Sequence, residues 1–206
     1  MRLVQLMGGT PTQIACPPRP EGAHRWGLNN LYRAAMVYQR FQGWTEWFDL
    51  HSTEHIQGRR IKGYGWLCQQ TKPIYRWVVD PAMPSSVAYP ATPVRAAFGG
   101  TRLFCSTLDW MLALAIYQEF ERIELFGWRM SHPAYQHQIS SANWWIAQAQ
   151  ARGIEVAVRG RSMLATLDNV GMTTLRVRPV PEIVIPPGCL MYGLETTDRS
   201  KLYHAV

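Results

Sequence analysis

Between Leu103 and Trp128 the chain reads LFCSTLDWMLALAIYQEFERIELFGW, and polar positions almost vanish from Trp110 to Tyr117. A helical stretch without a polar face is covered on most sides, so this segment is predicted to be a central, buried helix. Ser106 stands where an N-cap belongs, with Asp109 three residues on, the spacing of a capping box. A turn over Gln118 to Glu121 then leads to Ile123, Leu125 and Phe126, a buried strand. Helix into parallel strand is the second half of a βαβ unit.

The same alternation of apolar run, polar turn and helical pattern recurs through residue 160. Arg2 to Met7 is a first strand, ending at Gly8-Gly9-Thr10-Pro11-Thr12. His24 to Tyr32 is a short second strand that stops at Asn29-Asn30 and turns into a helix over Leu31 to Phe41. Trp47 to His51 is a third strand, followed by a helix over Thr53 to Gln70 that Gly58, Gly63 and Gly65 weaken. Ile74 to Val79 is a fourth strand. Residues 80–94 carry prolines at 81, 84, 90 and 93 and read as an irregular loop. Beyond the central unit, residues 127–138 form a loop, Ile139 to Arg152 a helix, Ile154 to Val158 a strand, and Ser162 to Leu167 a short helix. From Gly171 the texture changes to extended pieces split by prolines. The expected fold is therefore α/β and Rossmann-like, three layers with a mainly parallel sheet. Its domain spans 1–170, and 171–206 is a C-terminal extension that packs on the domain or on a partner copy.

Composition sharpens this in a few places. Of 206 residues, 47% are hydrophobic and 17% charged, which fits a compact core. The formal charge of +7 is uneven, because residues 1–100 hold 11 Lys or Arg against 5 acids and 101–206 hold 10 against 9. An anionic ligand near the first half is the simplest partner for that excess. Cys16, Cys68, Cys105 and Cys189 lie far apart with no CxxC or Cys/His cluster, so reduced thiols and a cytoplasmic setting are expected. Nothing approaches the roughly 18 consecutive apolar residues of a membrane span, and no membrane insertion is expected. Nucleic-acid binding would rest on net charge alone.

Candidate chemistry collects where strands end, since ligands of open parallel sheets bind at the carboxyl edge. The glycine pair Gly8-Gly9 permits a tight turn and close approach of a ligand. GGTPT is neither the dinucleotide GxGxxG nor the P-loop, so neither NAD nor an ATP γ-phosphate site is inferred. Asn29 or Asn30 can cap the next helix, or read a base or ribose with a donor and an acceptor. Asp49 within an apolar strand is costly unless paired. His51 and His132, with His137 behind them, are of the side-chain type suited to a general base, and Tyr135 can donate to a departing phosphate. Arg129 adds charge beside them. Asp49, Asp80 and Asp109 are isolated in sequence and form no DxD pair. No protein-bound metal and no tightly held cofactor are expected, and Mg²⁺ would arrive only with a phosphate.

Gly8-Gly9-Thr10, Trp26 to Tyr32, Trp47 to His51, Tyr89-Pro90, Ser106 to Ile116, Ile123 to Trp128 and Tyr135-Gln136 follow in an order that resembles small phage and prophage proteins. Those proteins are related to the domain of archaeal MptE-like pterin pyrophosphokinases. More distantly, the framework is similar to bacterial sialyltransferases that use a CMP-linked sugar. The resemblance covers about residues 2–160. It implies a nucleotide held by the glycine loop (Gly8, Gly9, Thr10), by the asparagines after the second strand (Asn29, Asn30) and by the hydroxyls before the central helix (Ser106, Thr107). Two departures stand out. The loop reads GGTPT where GxGxS is usual, and Arg129 occupies the place of an acid after Gly127-Trp128, which implies a different anionic ligand. The expected function is that of a small transferase, glycosyltransferase-like, moving a group from a nucleotide donor to a hydroxyl. A pyrophosphokinase-like enzyme and a nucleotide-binding or phage structural protein without turnover are the alternatives. A homo-oligomer through the C-terminal tail is a further expectation.

Overall fold

The computed structural model of the chain describes residues 1–9, 16–37, 43–59, 61–160 and 162–165. Among them, β1 (Leu3–Met7), β2 (His24–Leu28), β3 (Glu46–Phe48), β4 (Ile74–Arg76), β5 (Ser86–Ala88), β6 (Arg122–Phe126) and β7 (Glu155–Arg159) form one sheet. Its order is β5-β4-β3-β2-β1-β6-β7 and every pairing is parallel. The helices are α1 (Tyr32–Val37), α2 (Thr53–Arg59), α3 (Ile61–Cys68), α4 (Ala91–Ala97), α5 (Thr107–Tyr117) and α6 (Gln136–Ala151).

From β1 the chain steps outward through β2 to β5, then returns across the sheet to β6 on the other flank of β1. Right-handed crossovers place the helices of the outward steps on one face and those of the return on the opposite face. The packing agrees: α3 lies against α1 and α2, whereas α5 lies against α4 and α6. This is the three-layer, parallel α/β architecture expected from the apolar pattern.

The central helix α5 is buried at every position from Thr107 to Ile116, because sheet, α4 and α6 all close on it. Trp110 stacks on Phe104 at 3.5 Å between ring centres and meets Trp77 and Tyr89 edge-on. The Tyr89 hydroxyl donates to the Trp110 carbonyl at 2.7 Å. Burial pushes this phenol well above its ordinary pKa, so it stays a donor. The Trp145 indole of α6 donates to the Leu103 carbonyl at 2.7 Å. The capping box at Ser106 and Asp109 is formed in both directions.

The structure differs from the expected elements in four places. The proline-rich stretch 80–94 holds β5 and most of α4. Pro93 falls in the first turn of that helix, where the ring removes an N–H that has no partner anyway. The expected helix over Thr53 to Gln70 is two helices, α2 and α3. Gly63 of α3 sits against Tyr32 of α1, whose ring would stand 2.7 Å from an added Cβ. The third and fourth strands are shorter than expected, so Asp49 and His51 lie beyond β3, in the loop at its carboxyl end. Residues 162–165 are not helical. The C-terminal extension over 171–206, with its proposed partner contact, lies outside the described residues.

Candidate functional site

The strand order reverses between β1 and β6, and in open α/β sheets the crevice at such a reversal is where ligands bind. Here the chain itself fills much of it. The Gly8 amide donates to the Phe126 carbonyl at 2.6 Å, and the Trp128 indole donates to the Leu6 carbonyl at 3.0 Å. A Cβ on Gly8 would meet the Gly127 oxygen at 2.4 Å and the Trp128 ring at 2.7 Å. Gly8 is therefore demanded by close approach, but of Trp128 and the Gly127 backbone. Gly8→Ala is expected to lower stability by about 1–3 kcal/mol, the cost of overpacking, read as a lower urea midpoint at unchanged slope. Gly9 is exposed and an added Cβ there meets open space. Thr10 lies outside the described residues.

At the end of β2 the backbone makes a 3-10 turn with no side-chain cap, so Asn29 does not cap the helix that follows. Its φ of 45° is in the left-handed region, which a non-glycine residue occupies at a cost. Its side-chain oxygen is buried with no hydrogen-bond partner. Asn30 beside it is exposed.

At the end of β3 two residues read as separate in the sequence meet. His51 Nδ1 lies 2.7 Å from Asp49 Oδ1, with side-chain exposures of 14% and 2%. The His51 ring also stacks on His55 at 4.9 Å and 12°. A buried carboxylate on one ring nitrogen fixes the tautomer and leaves the proton-accepting lone pair on Nε2. The D-x-H spacing at a strand end was the signal for this pair.

Asp80 is likewise partnered. It accepts from Thr53 Oγ1 at 3.1 Å, from the Tyr64 hydroxyl at 3.1 Å and from the Ala82 amide at 3.0 Å.

The first turn of α5 opens on the same edge, because a crossover helix runs from the carboxyl ends of the strands back to their amino ends. Ser106 Oγ is engaged in capping, accepting from the Asp109 amide at 3.3 Å. Thr107 Oγ1 is buried without a partner. Asp109 Oδ2 accepts from the Cys105 amide at 2.6 Å, the Ser106 amide at 2.9 Å and the Ser141 hydroxyl at 3.0 Å, while Oδ1 has none. Burial raises this carboxyl to about 7 against those three donors.

The loop after β6 carries Arg129, His132, Tyr135 and His137, all exposed. The His132 and Tyr135 rings lie 5.9 Å apart, edge to face. Thus His132 stands with Tyr135, and His51 with Asp49 and His55. The basic excess of the first half is partly internal, since Arg25 and Arg76 are both buried. Among the described residues no group of three or more His, Cys, Asp or Glu side chains could hold a metal ion, and no helix is long and apolar enough to cross a membrane.

No family model matches the chain, and no curated protein matches it. Among solved structures, it is similar to the sialyltransferase CstII from Campylobacter jejuni in complex with the substrate analogue cytidine-5'-monophosphate. The TM-score is 0.52 at 14% identity, over 83% of this chain and 84% of that one. The same enzyme in complex with CMP-3FNeuAc gives 0.49 at 13% identity, over 77% and 80%. The relation is one of fold, and it places this chain as a distant structural relative of a sialyltransferase.

Proposed function

We propose that the chain binds a nucleotide or nucleotide sugar across the carboxyl edge of its sheet and moves a group from that donor to an acceptor hydroxyl. The observation that carries this reading is the pair of buried polar atoms without partners, Asn29 Oδ1 and Thr107 Oγ1, on two elements that open on that edge. A buried polar group left unsatisfied costs about 1–3 kcal/mol, and the left-handed backbone at Asn29 adds to it. A base and ribose bring the N–H and O–H donors that such acceptors lack. The fold shared with CstII, which binds cytidine monophosphate, supports the same reading.

In the proposed reaction His51 takes the proton of the acceptor hydroxyl. Asp49 holds the Nδ1 proton and stabilises the imidazolium that forms. The deprotonated oxygen bonds to the transferred carbon as the bond to the nucleotide phosphate breaks. Arg129 and Tyr135, exposed beside His132, then donate to the leaving phosphate. Gly9 lies toward the phosphate or ribose, and Mg²⁺ enters only with the phosphate. The finer reading is a small phage-type transferase acting in the cytoplasm. A pyrophosphokinase-like enzyme would use the same edge with a phosphate as the reacting group.

A second reading, binding without turnover, is favoured by Trp128, which lies against Gly8 where the strand order reverses. One panel separates them: CMP-, UDP-, GDP- and ADP-linked sugars and nucleoside triphosphates, scored for melting temperature and for release or transfer. The transferase reading expects a cytidine compound to raise the melting temperature and lose its sugar. A shift without release supports binding alone, and no shift with any compound overturns both.

A further inference from the structure

Among the described residues two arginines are buried, and their donors are satisfied to different degrees. Arg25, 1% exposed, gives Nε and Nη2 to Gln5 Oε1 at 2.9 and 2.6 Å and Nη2 also to the Pro17 carbonyl at 2.7 Å. Gln5 passes a bond on to Glu124 at 3.1 Å, so the cation is linked through an amide to an acid. Arg76, 2% exposed at the carboxyl end of β4, has one guanidinium bond, Nη2 to Thr53 Oγ1 at 2.9 Å. Its Nε and Nη1 are buried with no partner at all. A guanidinium carries five N–H donors and cannot shed its charge. One neutral hydroxyl, itself committed to Asp80 at 3.1 Å, leaves most of that capacity unused.

The position of Arg76 indicates what is missing. Strands β3 and β4 pair in parallel with Phe48 opposite Tyr75, and the Asp49 amide donates to the Tyr75 carbonyl at 3.1 Å. Asp49 directly follows β3 and Arg76 ends β4, so the two backbones lie side by side at the carboxyl edge. The Asp49–His51 pair and Arg76 thus start from adjacent backbone positions at that edge. An oxyanion presents several acceptor oxygens and a charge, which is the complement of a buried guanidinium with spare donors.

We propose that Arg76 is an anion-binding residue, taking a carboxylate or phosphate oxygen of the acceptor substrate next to the Asp49–His51 pair. This rests on the transferase reading for the role of the anion, but not for its binding. Thr53, half-buried and the one partner of the guanidinium, frees Nη2 by rotating about a single bond. The acceptor class that follows is an acidic one, a hydroxyl compound bearing a carboxylate or a phosphate, rather than a neutral sugar.

The test uses acetate and inorganic phosphate as separate probes, with chloride at matched ionic strength as control and with or without saturating cytidine monophosphate. Melting temperature is titrated in the wild type, Arg76→Met and Arg76→Lys. The wild type is expected to show a saturable rise with one of the two anions that persists when cytidine monophosphate is present. The anion that acts identifies the acidic group. Arg76→Met should lose the response, with a lower unliganded melting temperature, because Asp80, joined to the guanidinium through Thr53 Oγ1, loses the nearby cation. Arg76→Lys should bind at least about 10-fold more weakly, since a point charge replaces a fork of donors, and it carries the reading should the Met variant not fold. No saturable response in the wild type, or an equal response in the folded variants, overturns the proposal. Failure of cytidine monophosphate to bind while the anion response stands would instead count against the nucleotide reading alone.

Discussion

His51→Ala is expected to lower turnover of the sugar-nucleotide donor by about 10²–10⁴-fold, the usual contribution of a positioned general base. Asp49→Asn should fall in the same range for a different reason. An asparagine at 49 can turn an amide N–H toward Nδ1, which favours the tautomer with its proton on Nε2 and takes away the accepting lone pair. Both side chains are largely enclosed, at 14% and 2% exposure, so water cannot easily replace the lost carboxylate. Nucleotide affinity should be unchanged in both variants, because the effect lies in the proton transfer and not in donor binding. The check is single-turnover kinetics beside a binding titration of the same protein. His132→Ala, which removes an exposed ring set edge to face with Tyr135, is the control that should leave the proton-transfer step within a few-fold of wild type. Equal losses at His51 and His132 would move the base to the other loop.

The second large effect is on stability and comes from Asp109. Its carboxyl, ordinarily near 3.8, is raised to about 7 by burial. Folding therefore binds a proton between those values, and the sign follows directly. Below about pH 4 the group is protonated in both states and costs nothing. As pH rises to 7 the unfolded chain ionises first, so the native state loses stability by about 1.4 kcal/mol per pH unit. Across the window this amounts to about 4 kcal/mol. Asp109→Asn removes the ionisation and should flatten that part of the profile, although its amide N–H groups, set where Oδ1 has no partner, lower stability by about 1–3 kcal/mol throughout. Urea unfolding at closely spaced pH values from 4 to 8 reads the difference between the two slopes. Parallel profiles for wild type and variant would show that the carboxyl titrates normally.

Much of the scaffold was legible because α5 and its flanking strand obey local rules. Ser106 and Asp109 mark the helix start by spacing alone, and an all-apolar run from Trp110 can only be interior. The strands β1 and β6 also declare themselves, since buried parallel strands are rich in apolar residues. What stayed hidden depends on pairing between distant segments. β5 is three residues long between prolines, and it is a strand because β4 offers it a partner, not because its own sequence alternates. The site shows the same limit. Asn29 was visible as a cap or a ligand contact, but only the tertiary structure shows that it caps nothing and that its oxygen is orphaned. Gly8 was visible as a close-approach glycine, yet the approaching group is Trp128, brought from residue 128 by the β1 and β6 pairing. Arg76 gave no signal, because the ending of β4 one residue after Tyr75 and the folding of α2 over it are both long-range events.

The most direct test of a nucleotide at the carboxyl edge is a calorimetric titration of cytidine monophosphate into wild type and Asn29→Ala, with unliganded melting temperatures recorded alongside. Losing one hydrogen bond from a neutral base or ribose donor to Asn29 should weaken binding by about 0.5–1.5 kcal/mol, roughly 2- to 12-fold. The melting temperature should change little, because removing a buried oxygen that bonds to nothing favours the fold while alanine fits the left-handed backbone at 29 less well than asparagine. Equal affinity in the two folded proteins, or no measurable heat of binding in the wild type, would contradict the site.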